Sequence, residues 1–289
     1  MQTPNIPPPV HDTRAPKIKF PPKACDCHAH IFGPQSRYRL LPKTHFVPHE
    51  NPLSDYVRML RTLGCERGVL VQPSVYGTDN TLIAEALQSG EFALRGVAVV
   101  APDVSDRELE HLHAAGFRGI RINTASATPG LKITDAPRLA ARIKPLGWHL
   151  QFFANLRDMP QLEEQLATLP VNIVIDHFGC IAAADGLDAP PFQALLRLLR
   201  REHCWAKLMG PYFASEMFPQ YPDLVPFAQA LVQAAPDRVV WGSDWPHPSA
   251  RAKMPNDGDL ADMLPDWVPD EAQRRKLLVD NPRRLYSFD

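Results

Sequence analysis

The 289-residue sequence has few of the features that mark a specialised class of protein. No apolar run reaches the roughly 18 residues of a membrane-spanning helix. The five cysteines are scattered and odd in number, which excludes the paired framework of a small disulfide-rich protein. The formal net charge of -1 leaves no excess of lysine and arginine for binding nucleic acid. We therefore expect a protein that binds neither nucleic acid nor membranes.

The phosphate-binding glycine motifs of nucleotide-dependent enzymes are also missing. No GxGxxG follows the first predicted strand, and no GxxxxGK[ST] occurs anywhere. The first 23 residues are basic and rich in proline, with no apolar core of the signal-peptide kind. We predict a cytoplasmic protein in which residues 1–23 form an extended arm, packed over the domain or against a second subunit in a homodimer.

From residue 24 onward, short apolar runs alternate with amphipathic segments such as 54–64, 105–116 and 190–203. Eight β-then-α units predict an α/β fold, a (β/α)8 TIM barrel that fills residues 24–289 as one domain. Ser54 and Ser105 are predicted helix N-caps, and Gly64 and Gly116 are predicted helix ends. The predicted strands are 24–31, 67–73, 94–100, 117–123, 148–154, 171–177, 204–210 and 238–244.

Side chains capable of acid–base chemistry stand at the ends of three predicted strands. His28 and His30 end the first strand, His177 ends the sixth, and Asp244 ends the eighth. Barrel enzymes place their catalytic groups at these C-terminal strand ends. Ionisable side chains facing a barrel interior otherwise carry a large burial cost, so the combination predicts an active site.

The first strand, ACDCHAHI, also contains two cysteines. Regular alternation along a strand predicts that Asp26 shares the inner face with the two histidines, and that Cys25 and Cys27 face the surrounding helices. The CxC spacing has no partner cysteines for a structural zinc site. We therefore interpret the cysteines as packing residues.

Six segments of the chain carry distinctive motifs: HAHIFGP (28–34), VLVQPSVYGTDN (69–80), RGIRIN (118–123), VIDHFG (174–179), WGSDWPHP (241–248) and NPRRLY (281–286). Together they resemble the 2-pyrone-4,6-dicarboxylate lactonase group of the amidohydrolase superfamily. That group also includes lactonases for sulfomuconolactone and sugar-acid lactones, and the similarity extends over residues 24–286. The resemblance implies a barrel hydrolase that opens a cyclic ester in the catabolism of aromatic compounds.

The resemblance also bears on cofactors. In the superfamily at large, the HxH histidines and the aspartate hold one or two divalent metals, and fuller sites add a histidine on the fifth strand and a bridging ligand on the fourth. Here the end of the fifth strand reads Gln151–Phe152–Phe153, with no histidine, and the fourth strand has Arg121, which cannot act as a ligand. The pyrone-dicarboxylate lactonases work without metal, so the resemblance implies that no cofactor is required. A single zinc remains an alternative, with the ligands His28, His30, His177 and Asp244.

The mechanism expected from this resemblance is hydrolysis of a small anionic lactone by water that Asp244 activates. The three histidines surround the carbonyl oxygen and stabilise the oxyanion. Arg121 is the expected carboxylate anchor, with a structural ion pair as its alternative role. The further substrate-binding candidates are Ser74, Tyr76, Asn80, Asn123, Lys132, Lys207 and His247. Lys207 could instead be a structural partner of Asp244 or Asp26.

The sequence departs from the pyrone-dicarboxylate enzymes in two loops. Those enzymes have further arginines after strands four and seven, where this chain has TASATPGLK (124–132) and GPYFAS (210–215). Lys132 could replace one of the cations. We therefore expect a substrate that is less acidic than a dicarboxylate, or differently shaped. Tyr212, Phe213 and Phe218 suggest contact with a flat or apolar group.

Two other functions fit the same residues. One is a zinc-dependent decarboxylase or hydrolase of an aromatic or muconate-type acid, in which the histidines and Asp244 hold the metal. The other is a catalytically inactive barrel that binds a ligand. Full activity after removal of metal would exclude the first, and turnover that depends on Asp244 would exclude the second.

Overall fold

The computed structural model describes residues 6–125, 130–157, 162–250 and 253–289. Eight parallel strands form one sheet in sequence order from β1 to β8. This confirms the predicted α/β barrel and all eight predicted strands. The strands are β1 Cys25–Ala29, β2 Arg67–Val71, β3 Ala93–Ala98, β4 Phe117–Asn123, β5 His149–Phe153, β6 Ile173–Ile175, β7 Cys204–Leu208 and β8 Val239–Trp241.

Helices follow the strands, and the described part of the chain contains none that is long and apolar enough to cross a membrane. Ser105 caps α3 as predicted, since its side chain accepts a hydrogen bond from the Glu108 amide. Ser54 is not a cap, because α1 begins one residue earlier. The helices are α1 Leu53–Leu63, α2 Thr81–Gln88, α3 Asp106–Ala115, α4 Ala136–Ile143, α5 Leu162–Ala167, α6 Pro190–Leu199, α7 Val225–Ala234, α8 Asp257–Ala261, α9 Leu264–Trp267, α10 Glu271–Arg275 and α11 Asn281–Tyr286.

A β-bulge in β1 makes the predicted alternation of its side chains wrong. The pairing of β1 with β2 shifts between Asp26 and Ala29, so that three steps along β1 match two steps along β2. Cys25 and Cys27 consequently pack inside the barrel with the valines of β2, β3, β6 and β8. The extra residue lets His28 follow Cys27 on the interior side.

Asp26 does not face the active site but ties β1 to its neighbours. Its carboxylate accepts hydrogen bonds from the Tyr56 hydroxyl of α1 at 3.1 Å and from the Ser243 hydroxyl at 2.6 Å. The Ser243 and His28 amides donate to it as well. This buried carboxylate therefore joins the first strand to the segment that follows the last strand.

The first and last strands meet closely at His28. The Asp244 amide donates to the His28 carbonyl at 2.9 Å, and the His30 amide donates to the Trp245 carbonyl at 2.7 Å. A Cβ at Gly242 would lie 2.8 Å from the His28 Cβ, so only glycine allows this approach. The contact places the first histidine pair directly beside Asp244.

Residues 6–23 run along the outside of the barrel. Phe20 is buried with its ring edge-on to Trp241, and the ring centroids are 5.6 Å apart. Arg14 forms ion pairs with Asp259 at 2.6 Å and Asp262 at 2.5 Å. This arm therefore lies across α8, next to the segment that carries Asp244.

A buried histidine in β5 predicts how the fold responds to acid. Burial lowers the pKa of His149 to about 3, and its ring lies edge-on to Tyr286. Because the unfolded chain binds a proton near pH 6.5 and the folded chain does not, stability should fall as the pH drops from 6.5 towards 3.

Urea unfolding of wild type and His149→Gln tests this. The stability lost on acidification should be smaller in the variant, by about 1.4 kcal/mol per pH unit below pH 6.5. Burial raises the pKa of Asp26 to about 6, which has the opposite effect on stability but is common to both proteins. Equal losses in the two proteins would contradict the prediction.

Candidate active site

A pocket of about 410 Å³ opens at the C-terminal ends of the strands. Loops contribute part of its wall, and the strands and their ends contribute His30, Arg121, Asn123, Phe153, His177 and Asp244. Its volume suits a small molecule. The loop residues include His45, Phe46, Ser74, Phe213 and Ser249.

Asp244 lies at the centre of three imidazoles. One carboxylate oxygen is 3.7 Å from His28 Nε2 and 3.6 Å from His30 Nε2, and the other oxygen is 3.6 Å from His177 Nε2. These distances are too long for good direct hydrogen bonds, so a water or a substrate atom on the pocket side can bind the carboxylate and an imidazole together. The four side chains are almost completely buried.

The backbone is strained at two of these positions. Asp244 has a φ of 64° and His177 a φ of 51°, both in the left-handed region that residues other than glycine seldom adopt. Such conformations persist only where surrounding contacts hold them, and they concentrate at functional sites. Here the strain turns both side chains into the pocket.

The site combines an ionised carboxylate with two neutral imidazoles, those of His28 and His30. Burial alone would raise the pKa of Asp244, but the imidazoles beside it, His177 foremost, hold that pKa well below its usual range. Burial lowers the pKa of His28 strongly, helped by the charge of Lys207, and it also lowers the pKa of His30. Near neutral pH the site therefore contains a base and two uncharged rings.

Tyr212 donates a hydrogen bond from its hydroxyl to the second oxygen of Asp244. The sequence placed this residue only among aromatic side chains near the substrate. A donor to the carboxylate stabilises its charged form. Tyr212 therefore helps to keep Asp244 ionised and orients it.

Replacing Tyr212 by phenylalanine should raise the pKa of Asp244, because the ionised form loses a donor. We expect the acid limb of the kcat/KM profile to move to higher pH, with a loss of about 10-fold at pH 7. Tyr221→Phe removes a hydroxyl that does not bond to Asp244 and is the matched control. An unchanged acid limb in Tyr212→Phe would contradict this role.

A buried polar network lies beneath the pocket. Lys207 Nζ contacts the Cys27 carbonyl at 3.0 Å, Gln151 Oε1 at 2.8 Å and His28 Nδ1 at 3.2 Å. Gln151 Nε2 donates to Asp176 Oδ2 at 2.9 Å, and Lys207 Nζ is 3.6 Å from Asp176 Oδ1. The surrounding cations hold the pKa of Asp176 far below its usual range, although burial alone would raise it.

Arg121 forms an ion pair inside the barrel and also reaches the pocket. Its Nε is 3.6 Å from Asp176 Oδ2, and its guanidinium lies over the Phe153 ring at 5.1 Å. It also lines the pocket. The ion pair to Asp176 positions Arg121, which keeps a charged face towards a ligand.

The structure brings seven of the sequence candidates together at the pocket. His30, His177 and Asp244 line it, and His28 lies directly behind them. Three substrate-binding candidates also line it, namely Arg121, Ser74 and Asn123.

Five other substrate-binding candidates do not line this pocket. The Tyr76 hydroxyl accepts from the Gly33 amide at 3.2 Å. Both polar atoms of the Asn80 side chain bind the backbone of Val99. The remaining three are Lys132, which is exposed, Lys207, which is buried beneath His28, and His247, which is buried 3.1 Å from Asp257.

Several residues at the site had no sequence signal of their own. His45 and Phe46 come from the long segment 31–53, which had to cover this face of the barrel but did not indicate which residue would reach the pocket. Phe153 and Gln151 lie in a strand where only a missing histidine was noted. Residues 126–129, within the loop expected to bind an anion, lie outside the described residues.

Part of a metal site is present by distance. The ligand atoms of His28, His30 and Asp244 lie within 4.8 Å of one another and could hold a single ion. His30 fits this role, because its Nδ1 is 2.7 Å from the Val71 carbonyl and its Nε2 is left with a lone pair. His28 does not fit, because donors on Lys207 and Gln151 face its Nδ1 and leave the proton on Nε2.

Comparisons with known proteins agree with this geometry. The model of the Amidohydrolase family matches residues 25–288. The chain is 37% identical to the 4-sulfomuconolactone hydrolase of Hydrogenophaga intermedia, covering 96% of this chain and 93% of that protein. It is 32% identical to the D-galactarolactone isomerase of Agrobacterium fabrum, covering 95% and 94%.

A solved structure is also similar. It is the crystal structure of a probable 2-pyrone-4,6-dicarboxylic acid hydrolase from Acinetobacter baumannii with citric acid bound. The TM-score is 0.81 and the identity is 29%, over 92% of this chain and all of that one (100%).

Proposed function

This chain belongs to the amidohydrolase family, and we propose that it is a lactonase, a hydrolase that opens a small cyclic ester carrying a carboxylate or similar anion. The central support is the position of Asp244, 3.6–3.7 Å from three imidazoles in a pocket that Arg121 also lines. The relatives at 37% and 32% identity are named for activities on lactones.

Asp244 is the general base in this mechanism. It takes one proton from a water molecule while the water oxygen forms a bond to the lactone carbonyl carbon. Hydrogen-bond donors among His28, His30 and His177 stabilise the oxyanion that results. The ring C–O bond then breaks, and the leaving oxygen takes the proton from Asp244. One water is consumed, and a carboxylic acid and a hydroxyl or enol are formed.

We propose that this reaction proceeds without a metal. A metal held by His28 would need a lone pair on its Nε2, and the hydrogen bonds at Nδ1 do not favour that form. A lactone suits the weaker assistance of hydrogen-bond donors, because its alkoxide or enolate leaves more readily than an amide nitrogen.

The pocket wall supports a substrate with one anionic and one flatter, less polar part. Arg121 supplies the charge, and Phe153 and Phe213 lie at its side with ring centroids 5.2 Å apart. Ser74 and Asn123 add polar contacts to the same wall. Among the described residues of the pocket, this arrangement favours a substrate less acidic than a dicarboxylate.

A hydrolysis screen in metal-free buffer tests the proposal. The panel contains muconolactones, pyrone carboxylates and aldonolactones, and proton release reports ring opening. We expect turnover of at least one anionic lactone and none of its amide analogue. Release of carbon dioxide from an acid, or activity that requires zinc, would instead support the decarboxylase alternative. The observation that favours this alternative is that the ligand atoms of His28, His30 and Asp244 lie within 4.8 Å of one another.

Lactone isomerisation is the second alternative, since one relative is named as an isomerase. In that reaction a hydroxyl of the substrate replaces water as the nucleophile, so no net acid is produced. Chromatography of the products beside the proton-release assay separates the two reactions.

Location and assembly belong to the same proposal. All five cysteines are free thiols, which suits a reducing cytoplasm. We also propose a homodimer in which the arm of residues 1–23 contributes to the contact between subunits. Light scattering of the chain with and without the arm tests this assembly.

A further inference from the structure

We propose that Lys207 and Gln151 hold His28 in one tautomer while the Val71 carbonyl holds His30 in the other, so that the two histidines do opposite work. His28 donates a hydrogen bond to the substrate carbonyl, and His30 accepts one from the attacking water. The tautomers follow from the protein's own contacts, whereas the assignment to carbonyl and water rests on the proposed lactonase function.

The contacts of Lys207 determine the state of His28 Nδ1. An ammonium group has three protons and no lone pair. The Lys207 Nζ has three acceptors at hydrogen-bond distance, which are the Cys27 carbonyl at 3.0 Å, Gln151 Oε1 at 2.8 Å and His28 Nδ1 at 3.2 Å. His28 Nδ1 therefore accepts, and in the neutral ring the proton is on Nε2.

The orientation of Gln151 strengthens this assignment. Its Oε1 must accept from Lys207, and its Nε2 donates to Asp176 Oδ2 at 2.9 Å, so the two partners fix which end of the amide is which. The same Nε2 lies 3.4 Å from His28 Nδ1. Two donors and no acceptor thus adjoin that nitrogen at hydrogen-bond distance among the described residues.

His30 has the reverse arrangement. Its Nδ1 is 2.7 Å from the Val71 carbonyl oxygen, which can only accept, so the proton is on Nδ1. Its Nε2 then presents a lone pair 3.6 Å from Asp244 Oδ1. A water molecule on the pocket side of these two acceptors can donate one proton to each of them.

These tautomers define a geometry for the attack. The water that donates to both His30 and Asp244 keeps its own lone pair for the carbonyl carbon, and Asp244 removes the proton that points to it. The His28 Nε2–H is 3.7 Å from the same Asp244 oxygen and is available to the carbonyl oxygen of the substrate. Lys207 and Gln151 act through His28 and are positioning residues.

The contacts that fix the tautomer of His28 also explain why His28 is a poor zinc ligand. A histidine that binds a metal through one nitrogen donates its other N–H to a carboxylate or carbonyl. His28 Nδ1 lies 3.7 Å from Asp176 Oδ1, an acceptor of that kind, but Lys207 occupies the approach. Removal of the lysine should let His28 Nδ1–H donate to Asp176 and Nε2 bind zinc.

The tautomers can be measured directly in the wild-type protein. Long-range ¹H–¹⁵N spectra distinguish a protonated ring nitrogen from one with a lone pair, and the His28→Asn and His30→Asn variants assign the signals by their loss. We expect the proton on Nε2 in His28 and on Nδ1 in His30. The same tautomer in both rings, or a proton on Nδ1 of His28, would overturn the proposal.

Lys207→Met tests whether Lys207 fixes the tautomer of His28. Lys144→Met is the control, because it removes an exposed charge elsewhere. Zinc affinity, measured by competition with a chromophoric chelator, should be about 10- to 100-fold higher in Lys207→Met than in wild type. The kcat should fall about 100-fold with little change in KM, because an oriented donor is lost. Wild-type zinc affinity and kcat in folded Lys207→Met would overturn the assignment.

Gln151→Met extends the test if Lys207→Met does not fold, because it removes only the second donor. It should shift the His28 nitrogen signals while those of His30 stay unchanged, and unchanged His28 signals would count against the tautomer assignment. If no lactone is hydrolysed but the tautomers are as expected, the proposed function is wrong and the tautomer assignment stands. If a lactone is hydrolysed but the tautomers differ from those expected, only the tautomer assignment is wrong.

Discussion

The Asp244→Asn protein should lose lactone hydrolysis by at least about 10³-fold while it still binds the substrate. General-base catalysis contributes about 10²–10⁴-fold, and Asp244 is the carboxylate that the three imidazoles surround. Asparagine has the same shape and still accepts a hydrogen bond from Tyr212, but it cannot take a proton from water. Initial rates and calorimetric binding of the lactone to the variant measure the two effects.

The control for Asp244→Asn is Asp257→Asn. Asp257 is also buried, 3.1 Å from His247, but it does not line the pocket, so its loss reports the cost of removing a buried carboxylate near the same segment. Circular dichroism should show both variants folded. Retention of more than about a tenth of wild-type kcat in Asp244→Asn would refute the assignment of the base.

The second large effect is expected at Arg121. Arg121→Met should reduce kcat/KM for an anionic lactone by about 100-fold, since hydrogen bonds between charged groups contribute about 1.5–3 kcal/mol. The effect should be much smaller for the methyl ester of the same lactone, which has no carboxylate to bind. Comparing the acid with its ester separates the loss of carboxylate binding from general damage to the site, which would affect both substrates equally.

Arg121 also pairs with Asp176, so the substitution needs a second control. Arg121→Lys keeps a positive charge on the side chain that pairs with Asp176 in the wild type, but it loses the planar fork. We expect it to restore folding stability fully and the anionic preference only in part. Equal losses for the acid and its ester in Arg121→Met would show that Arg121 is structural rather than an anchor.

The barrel could be predicted from the sequence because its strands are apolar runs separated by amphipathic helices. The positions of His28, His177 and Asp244 followed, since parallel strands bring their C-terminal ends to one mouth. The faces of β1 could not be predicted, because a single bulged residue between Asp26 and Ala29 reverses the alternation. That reversal places the cysteines inside and Asp26 outside.

The contacts that Lys207 and Tyr212 make with the site residues also could not be predicted from the sequence. Lys207 looked like an anion contact, but its place in β7 directs it below His28, where Gln151 of β5 meets it. Such contacts join strands that are far apart in the chain, and no local pattern encodes them. Likewise, the hydroxyl of Tyr212 reaches Asp244 only because the loop after β7 folds over the pocket.

The most direct test of metal-free hydrolysis is turnover in H₂¹⁸O by protein whose metal content has been verified to be negligible. The sample should open an anionic lactone at the full rate, with one ¹⁸O in the new carboxylate, and added zinc should not increase the rate. A rate that rises in proportion to bound metal, or a product without ¹⁸O, would contradict water activation by Asp244 and the histidines alone.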